Sequence, residues 1–254
     1  TGMIEEPKKH PSFYQWLDSE PWKKSKSIGL TGLKGSSKAY LLSLWRERIR
    51  KPLLIIVPLP RDAEILVEDL RFFQKESEGP LDLFPPWETL PYDDIPPHPE
   101  IIRERVKGLF SLLRDEAGII IAPVRALMQK VLHPQDLSES TLSLAVGDEV
   151  DRDQLAQFFQ KGGYTSVRIV EERGDFSLRG AIVDVYSPLY EDPLRFEFHD
   201  DRLESIRRFE PESQRSFPQS SMDRAILLPA KDFSKDSNKP LVTLFEYFKA
   251  KGMV

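Results

Sequence analysis

The chain has 254 residues, 40% hydrophobic and 30% charged, with a formal net charge of −5, a composition that suits a soluble globular protein with room for two domains. The lack of a basic excess excludes nonspecific phosphate binding as its dominant property. With no cysteine and only four histidines, disulfides, thiol catalysis and thiolate metal sites are excluded, and no metal site is recognisable.

The longest apolar runs are about eight residues, far short of the roughly 20 needed to span a bilayer. The N-terminus lacks a secretory pattern, so a cytoplasmic protein without a membrane partner is expected. Phe13, Trp16 and Leu17 stand at helical spacing within Pro11 to Ser19. Lys23, Lys24 and Lys26 form a small basic cluster that reads as solvated surface.

Ser27 to Leu33 is a strand candidate leading into Gly32-Leu33-Lys34-Gly35-Ser36-Ser37-Lys38-Ala39. A phosphate-cradling loop reads G-x-x-x-x-G-K-[ST], in which glycines permit close backbone approach, the lysine meets phosphate and the final hydroxyl holds magnesium. Gly32 and Lys38 fit, with Gly35 between them, but Ser37 replaces the second glycine and Ala39 the hydroxyl. No Asp-Glu pair follows the apolar runs Leu53 to Leu59 or Gly118 to Val124. Nucleotide hydrolysis is therefore not expected and no cofactor is assigned. A plain strand-to-helix turn is favoured over nucleotide binding, with phosphate contact through Lys38 left open.

Helices are predicted at Ser36 to Arg50, Arg61 to Gln74 and Ile101 to Leu113, and strands at Leu53 to Leu59, Leu81 to Phe84 and Gly118 to Ile121. This alternation implies a parallel sheet. Pro85 to Pro99 is too rich in proline for regular structure. Trp87, Tyr92 and His98 there offer rings on which bases can stack, but Glu88, Asp93, Asp94 and Glu100 make the loop acidic, so anchoring the loop is the favoured role. Ala122 to Val131 reads as a helix with Pro123 near its start, and His133 to Ser140 as a linker.

Leu142 to Val146 opens a second domain, and a helix over Asp151 to Gln160 is capped by Asp151 and closed by Gly162-Gly163. Leu178 to Tyr186 and Leu194 to His199 read as antiparallel strands. Asp200 and Asp201 supply a turn before a third strand at Leu203 to Phe209. Leu194, Phe196 and Phe198 alternate with Arg195, Glu197 and His199, which suits a meander buried on one side only. Its charged side either solvates the domain or meets a partner. Met222 to Leu228 is a further strand, Lys231 to Lys239 an exposed linker, and Leu241 to Ala250 a last helix. The expected division is an N-terminal segment at 1–26, domains at 27–136 and 137–230, and a linker with the start of a following region at 231–254.

ERGDFSLRGAIVDVYS, LRFEFHDDRLESIRRFEPESQRS and ILLPAKDF, with WETLPYDDIPPHPEIIRERVKGL upstream, resemble the N-terminal UvrB-like module (domains 1a and 2) of the bacterial transcription-repair coupling factors. UvrB itself is the more distant relative, because it carries a tyrosine-rich hairpin where this chain has Trp87 to Leu109. The resemblance covers roughly Ile28 to Phe233. It implies an α/β fold in which a degenerate P-loop NTPase-like parallel sheet domain precedes a smaller α+β domain with an antiparallel meander. It also implies that the second domain docks the damage-recognition protein UvrA, with Arg179 of the SLRG step and Glu197 of the RFEF step at contact positions. Ser166 stands where the family has an arginine, with Arg168 as a possible substitute, and Ser177 where UvrB has one. The implied role is a noncatalytic module that recruits UvrA to stalled RNA polymerase. An ATP-driven DNA translocase and an RNA-polymerase-binding domain are expected elsewhere in the parent chain, which can mask the UvrA surface. A nucleotide-dependent UvrB-like repair ATPase using Lys38 is the alternative.

Overall fold

The computed structural model describes residues 13–20, 23, 27–49, 51–73, 79–88, 97–114, 118–232 and 239–249. The fold is mixed α/β, with a three-stranded parallel sheet, a six-stranded sheet that is antiparallel except at one edge, and a two-stranded antiparallel pair. The first part of the chain runs α1 (Phe13–Asp18), α2 (Ser37–Arg48), β1 (Leu53–Val57), α3 (Pro60–Phe73), β2 (Leu81–Leu83), α4 (Pro99–Leu113), β3 (Ile119–Pro123), α5 (Val124–Leu127) and α6 (Pro134–Glu139).

β3 lies between β1 and β2, and all five of its residues are buried. A strand covered on both faces needs a continuous apolar run, which Ile119, Ile120 and Ile121 supply. α3 turns Ala63, Val67 and Leu70 inward at three- and four-residue spacing, packing them with Ile119 and Ile121.

Three expectations fail here for local reasons. Ser27 to Leu33 forms no strand: Gly29 and Gly32 interrupt it, Gly32 has a φ of 81° that a strand cannot use, and Leu30 is exposed. The helix expected from Ala122 shrinks to α5, because β3 continues through Pro123 and Val131 leaves to bridge Val242. His133 to Ser140 is not a linker but holds α6, with Pro134 at its first position and the His133 Nδ1 accepting from the Gln135 amide at 3.2 Å.

The proline-rich loop is tied to the end of the antiparallel part of the chain. Arg105 of α4 is fully buried and donates through Nε to Asp232, and through Nη1 to the Pro85 carbonyl at 2.8 Å and Gln129 Oε1 at 3.1 Å. Its guanidinium lies over the rings of Phe84 at 4.4 Å and Trp87 at 4.9 Å. The Trp87 Nε1–H also donates to Asp232, at 3.1 Å. Trp87 thus anchors the loop, His98 caps α4 by accepting from the Glu100 amide, and Tyr92 lies outside the described residues. The exposed linker expected at Lys231 to Lys239 is corrected at Asp232, which is wholly buried as the counter-ion of Arg105.

The chain continues through β4 (Leu142–Ala145), α7 (Arg152–Lys161), β5 (Thr165–Ser166), β6 (Asp175–Arg179), β7 (Ile182–Val185), β8 (Leu194–His199), β9 (Arg202–Phe209), β10 (Ser216–Ser221), β11 (Arg224–Leu227) and α8 (Leu244–Lys249). The larger sheet is ordered β10-β9-β8-β7-β6-β5, and β11 pairs with β4. The stretch Leu178 to Tyr186, expected as one strand, is the corner of the β6–β7 hairpin. Gly180, at φ 58°, makes the turn. On the inner face Val183, Phe196 and Ile206 stand opposite one another and pack with Leu155 and Phe159 of α7.

Asp151 Oδ1 accepts from the amides of Asp153 at 2.8 Å and Gln154 at 3.3 Å, capping α7 as expected. Asp151→Ala removes this acceptor and is expected to lower stability by about 1 kcal/mol in thermal or urea unfolding. A loss of zero would show that α7 is held by its buried face alone.

A four-charge cluster joins α4 to the larger sheet. Arg103 pairs with Glu100 at 2.7 Å and with Glu191, while Arg173 reaches the same two carboxylates at 3.4 Å and 3.0 Å. Hydrogen bonding from Arg173 is the chief reason that the Glu191 carboxyl is held below its usual range.

Candidate partner-docking site

The outer face of the larger sheet carries two cross-strand rows, because residues directly opposite in antiparallel strands project to the same side. One row is Ser177, Asp184, Arg195 and Arg207; the next is Arg179, Ile182, Glu197 and Ser205. Hairpin register alone therefore brings the two sequence-predicted contact residues, Arg179 and Glu197, into one line with Ile182 between them.

The first row is mostly covered. Asp184 is 0% exposed and accepts two hydrogen bonds from Arg195, from Nε at 2.8 Å and Nη2 at 2.9 Å. Arg195 also donates to the Gln214 carbonyl at 3.1 Å and lies over the Phe209 ring at 4.6 Å. Hydrogen bonding to Asp184 pushes the Arg195 guanidinium still further up from its ordinary value. Val167, Val170, Tyr186 and Phe209 form a small apolar cluster beside this pair. The sheet is thus not buried on one side only, as alternation had implied: loops bury part of the charged face too.

The second row stays accessible. The Arg179 side chain is 44% exposed and donates through Nη2 to Asp184 Oδ2 at 2.6 Å. Glu197, 37% exposed, accepts from the Ser205 hydroxyl and lies 3.7 Å from Arg207 Nη2. Arg168 is exposed on the flank, where its carbonyl accepts from Ser177 Oγ at 3.3 Å and its neighbour Ile169 is also exposed. Arg168 lies past the end of β5 (Thr165–Ser166) and is not a cross-strand member of either row.

Asp184, Ser205 and Arg207 were not singled out from the sequence, and Arg195 was read only as part of the charged outer face. The available signal was a carboxylate inside the apolar run Ile182-Val183-Asp184-Val185, since a buried charge requires a partner.

The glycine-containing loop has a different character. Gly32 and Gly35 have φ of 81° and 53°, and Ser37 opens α2, with its hydroxyl turned back to the Lys34 carbonyl at 2.7 Å. Ser36 Oγ donates to Asp69 at 3.1 Å, Lys38 is exposed and Ala39 is buried. Among the described residues no group of three or more histidines and carboxylates is placed to hold a metal ion, and no helix is long and apolar enough to cross a membrane.

Residues 142–233, which include both rows, match the family model of the UvrB interaction domain. The chain is also 37% identical over 206 residues to the transcription-repair-coupling factor of Myxococcus xanthus, covering 79% of this chain and 17% of that protein. The Haemophilus influenzae protein of the same name is 36% identical over 197 residues, 78% of this chain and 16% of the relative. For the Escherichia coli protein the figures are 33% over 231 residues, 91% and 20%. The chain spans a fifth or less of the length of these curated relatives. Over most of its length the chain is therefore similar to the transcription-repair-coupling factors, and its residues 142–233 match the UvrB interaction domain.

Proposed function

We propose that this chain is a noncatalytic interaction module that docks UvrA through the outer face of the β6–β9 meander, and that in a longer coupling factor it recruits excision repair to stalled RNA polymerase. The observation that carries this reading is the accessible row Arg179, Ile182, Glu197, Ser205 within the matched domain. Arg179 retains N–H donors beyond the one spent on Asp184 and Glu197 retains acceptor capacity. A partner that offers a carboxylate and a cation in the matching order is selected by that arrangement. Arg168 contributes charge from the flank rather than a place in the row.

The Lys38 loop has no catalytic part in this reading. The Ser37 hydroxyl is engaged with its own turn, and Asp69 sets a carboxylate beside Ser36, which opposes phosphate at the degenerate P-loop. RNA polymerase, DNA and an ATP-driven motor are assigned to regions outside this chain, and the rest of the parent chain is the natural mask for the docking row.

Calorimetric titration with UvrA tests the reading. Arg179→Ala and Glu197→Ala, each checked for intact folding, are expected to weaken binding at least about tenfold, or roughly 1.4 kcal/mol. No binding by the unaltered chain would remove the proposal. Undiminished binding by both variants would move the docking surface elsewhere.

A further inference from the structure

We propose that Asp184 is a positioning residue for docking: it makes no contact with the partner itself but holds the Arg179 guanidinium in its docking orientation. The inference rests on the UvrA reading and deepens it.

Asp184 is buried under the outer face, yet both of its oxygens are aimed at arginines on neighbouring strands. Oδ1 accepts from Arg195 Nε, and Oδ2 accepts from both Arg195 Nη2 and Arg179 Nη2. The two arginines differ in exposure: the Arg195 side chain is 14% exposed and Arg179 44%. Arg195 therefore fixes the carboxylate from the covered side, and the fixed carboxylate holds Arg179 at the open side.

An unanchored arginine samples many rotamers and loses that freedom on binding, whereas an anchored one has already lost it. The planar guanidinium suits this double use, since one edge can remain on Asp184 while other N–H groups face outward. The charge balance supports the same assignment. Among the described residues Arg179, Arg195 and Arg207 form ion pairs with Asp184 and Glu197, three cations to two carboxylates, which leaves one positive charge in surplus for a partner carboxylate. Glu197 is steadied in parallel by Ser205 and Arg207, which presents both docking charges from fixed side chains.

A double-mutant cycle on UvrA affinity separates this role from a merely structural one. Asp184→Asn, nearly isosteric, is expected to weaken binding about tenfold, the scale of one charge-assisted hydrogen bond. In an Arg179→Ala background it is expected to cost almost nothing further, because Asp184 acts through Arg179. Should Asp184→Asn unfold the chain, Arg179→Lys decides the matter. Lysine keeps the charge but cannot serve Asp184 and a partner through one planar fork, so a loss close to that of Arg179→Ala is expected, and wild-type affinity would overturn the proposal. Additive losses in the cycle, with normal binding by the unaltered chain, would overturn the Asp184 role alone. Failure of the unaltered chain to bind UvrA would remove the docking reading and this inference together.

Discussion

Asp232→Ala is expected to destabilise the chain by about 3–5 kcal/mol, the range for removing one partner of a buried ion pair. Arg105 would be left in a fully buried site with its charge unmatched, keeping only the Pro85 carbonyl and Gln129 as acceptors. Trp87 would lose its Nε1 acceptor at the same time. Against a total stability of roughly 5–15 kcal/mol, such a loss is a large fraction. At about 2–4 °C per kcal/mol for a chain of this size, the midpoint of thermal unfolding should fall by about 6–20 °C. Joint replacement, Arg105→Met with Asp232→Leu, should cost less than Asp232→Ala alone, because it removes the orphaned charge as well as the pair. Urea unfolding of the three proteins checks this. A loss below about 1 kcal/mol for Asp232→Ala would mean that Arg105 is held adequately by its neutral acceptors and aromatic neighbours.

That ion pair also marks where sequence reading reached its limit. The amphipathic spacing in α3 and α4 and the continuous apolar run of β3 were legible because burial follows each of them. β1 was expected as a buried strand, but as a sheet edge it is mostly half-buried, with Ile56 exposed. Asp232 was not. Apart from Phe233, the residues beside it are Lys231, Ser234, Lys235 and Asp236, a context that reads as solvated, and its burial is imposed by Arg105, distant in the chain. The same limit hid the Gly180 corner, where a run of strand-forming residues on both sides masked a two-strand hairpin. For α6 the signal was present: His133 and Pro134 form a cap and first turn, and the polar composition of the segment outweighed it. β10 carries Pro218 and three serines, so propensity argues against a strand that tertiary pairing with β9 nevertheless holds at the sheet edge.

The docking row divides along the same line. Arg179 and Glu197 were assigned from motif resemblance, and their juxtaposition follows from hairpin register. Spacing in the sequence does not reveal that Ile182 lies between them. Arg168 lies two residues beyond Ser166 and past the end of β5, so the alternation that would have fixed its direction no longer applies. Asp184 could be flagged as a charge within an apolar run, but its two arginine partners appear only when β6, β7 and β8 are paired.

Arg195→Ala is expected to cost about 3 kcal/mol, at the lower end of the range for a broken buried pair because Arg179 remains on Asp184. Four contacts disappear together: the two hydrogen bonds to Asp184, the bond to the Gln214 carbonyl, and the packing of the guanidinium on Phe209. Arg195→Met separates them, since methionine retains apolar contact with the ring but no charge. If the ion pair dominates, Met should recover only what a thioether gains against the ring, about 0.3–1.5 kcal/mol. Arg207→Ala provides the contrast. Its 3.7 Å approach to Glu197 is half-exposed, and an exposed pair of that kind is worth about 0–1 kcal/mol. Urea unfolding of the three variants should therefore rank Arg195→Ala as the least stable, Arg195→Met next and Arg207→Ala nearest the unaltered chain. An Arg195→Ala variant within about 1 kcal/mol of the unaltered chain would show that Arg179 alone satisfies Asp184. Asp184 would then be held from the open side, and the guanidinium offered to the partner would also be the one keeping the sheet's buried carboxylate in place.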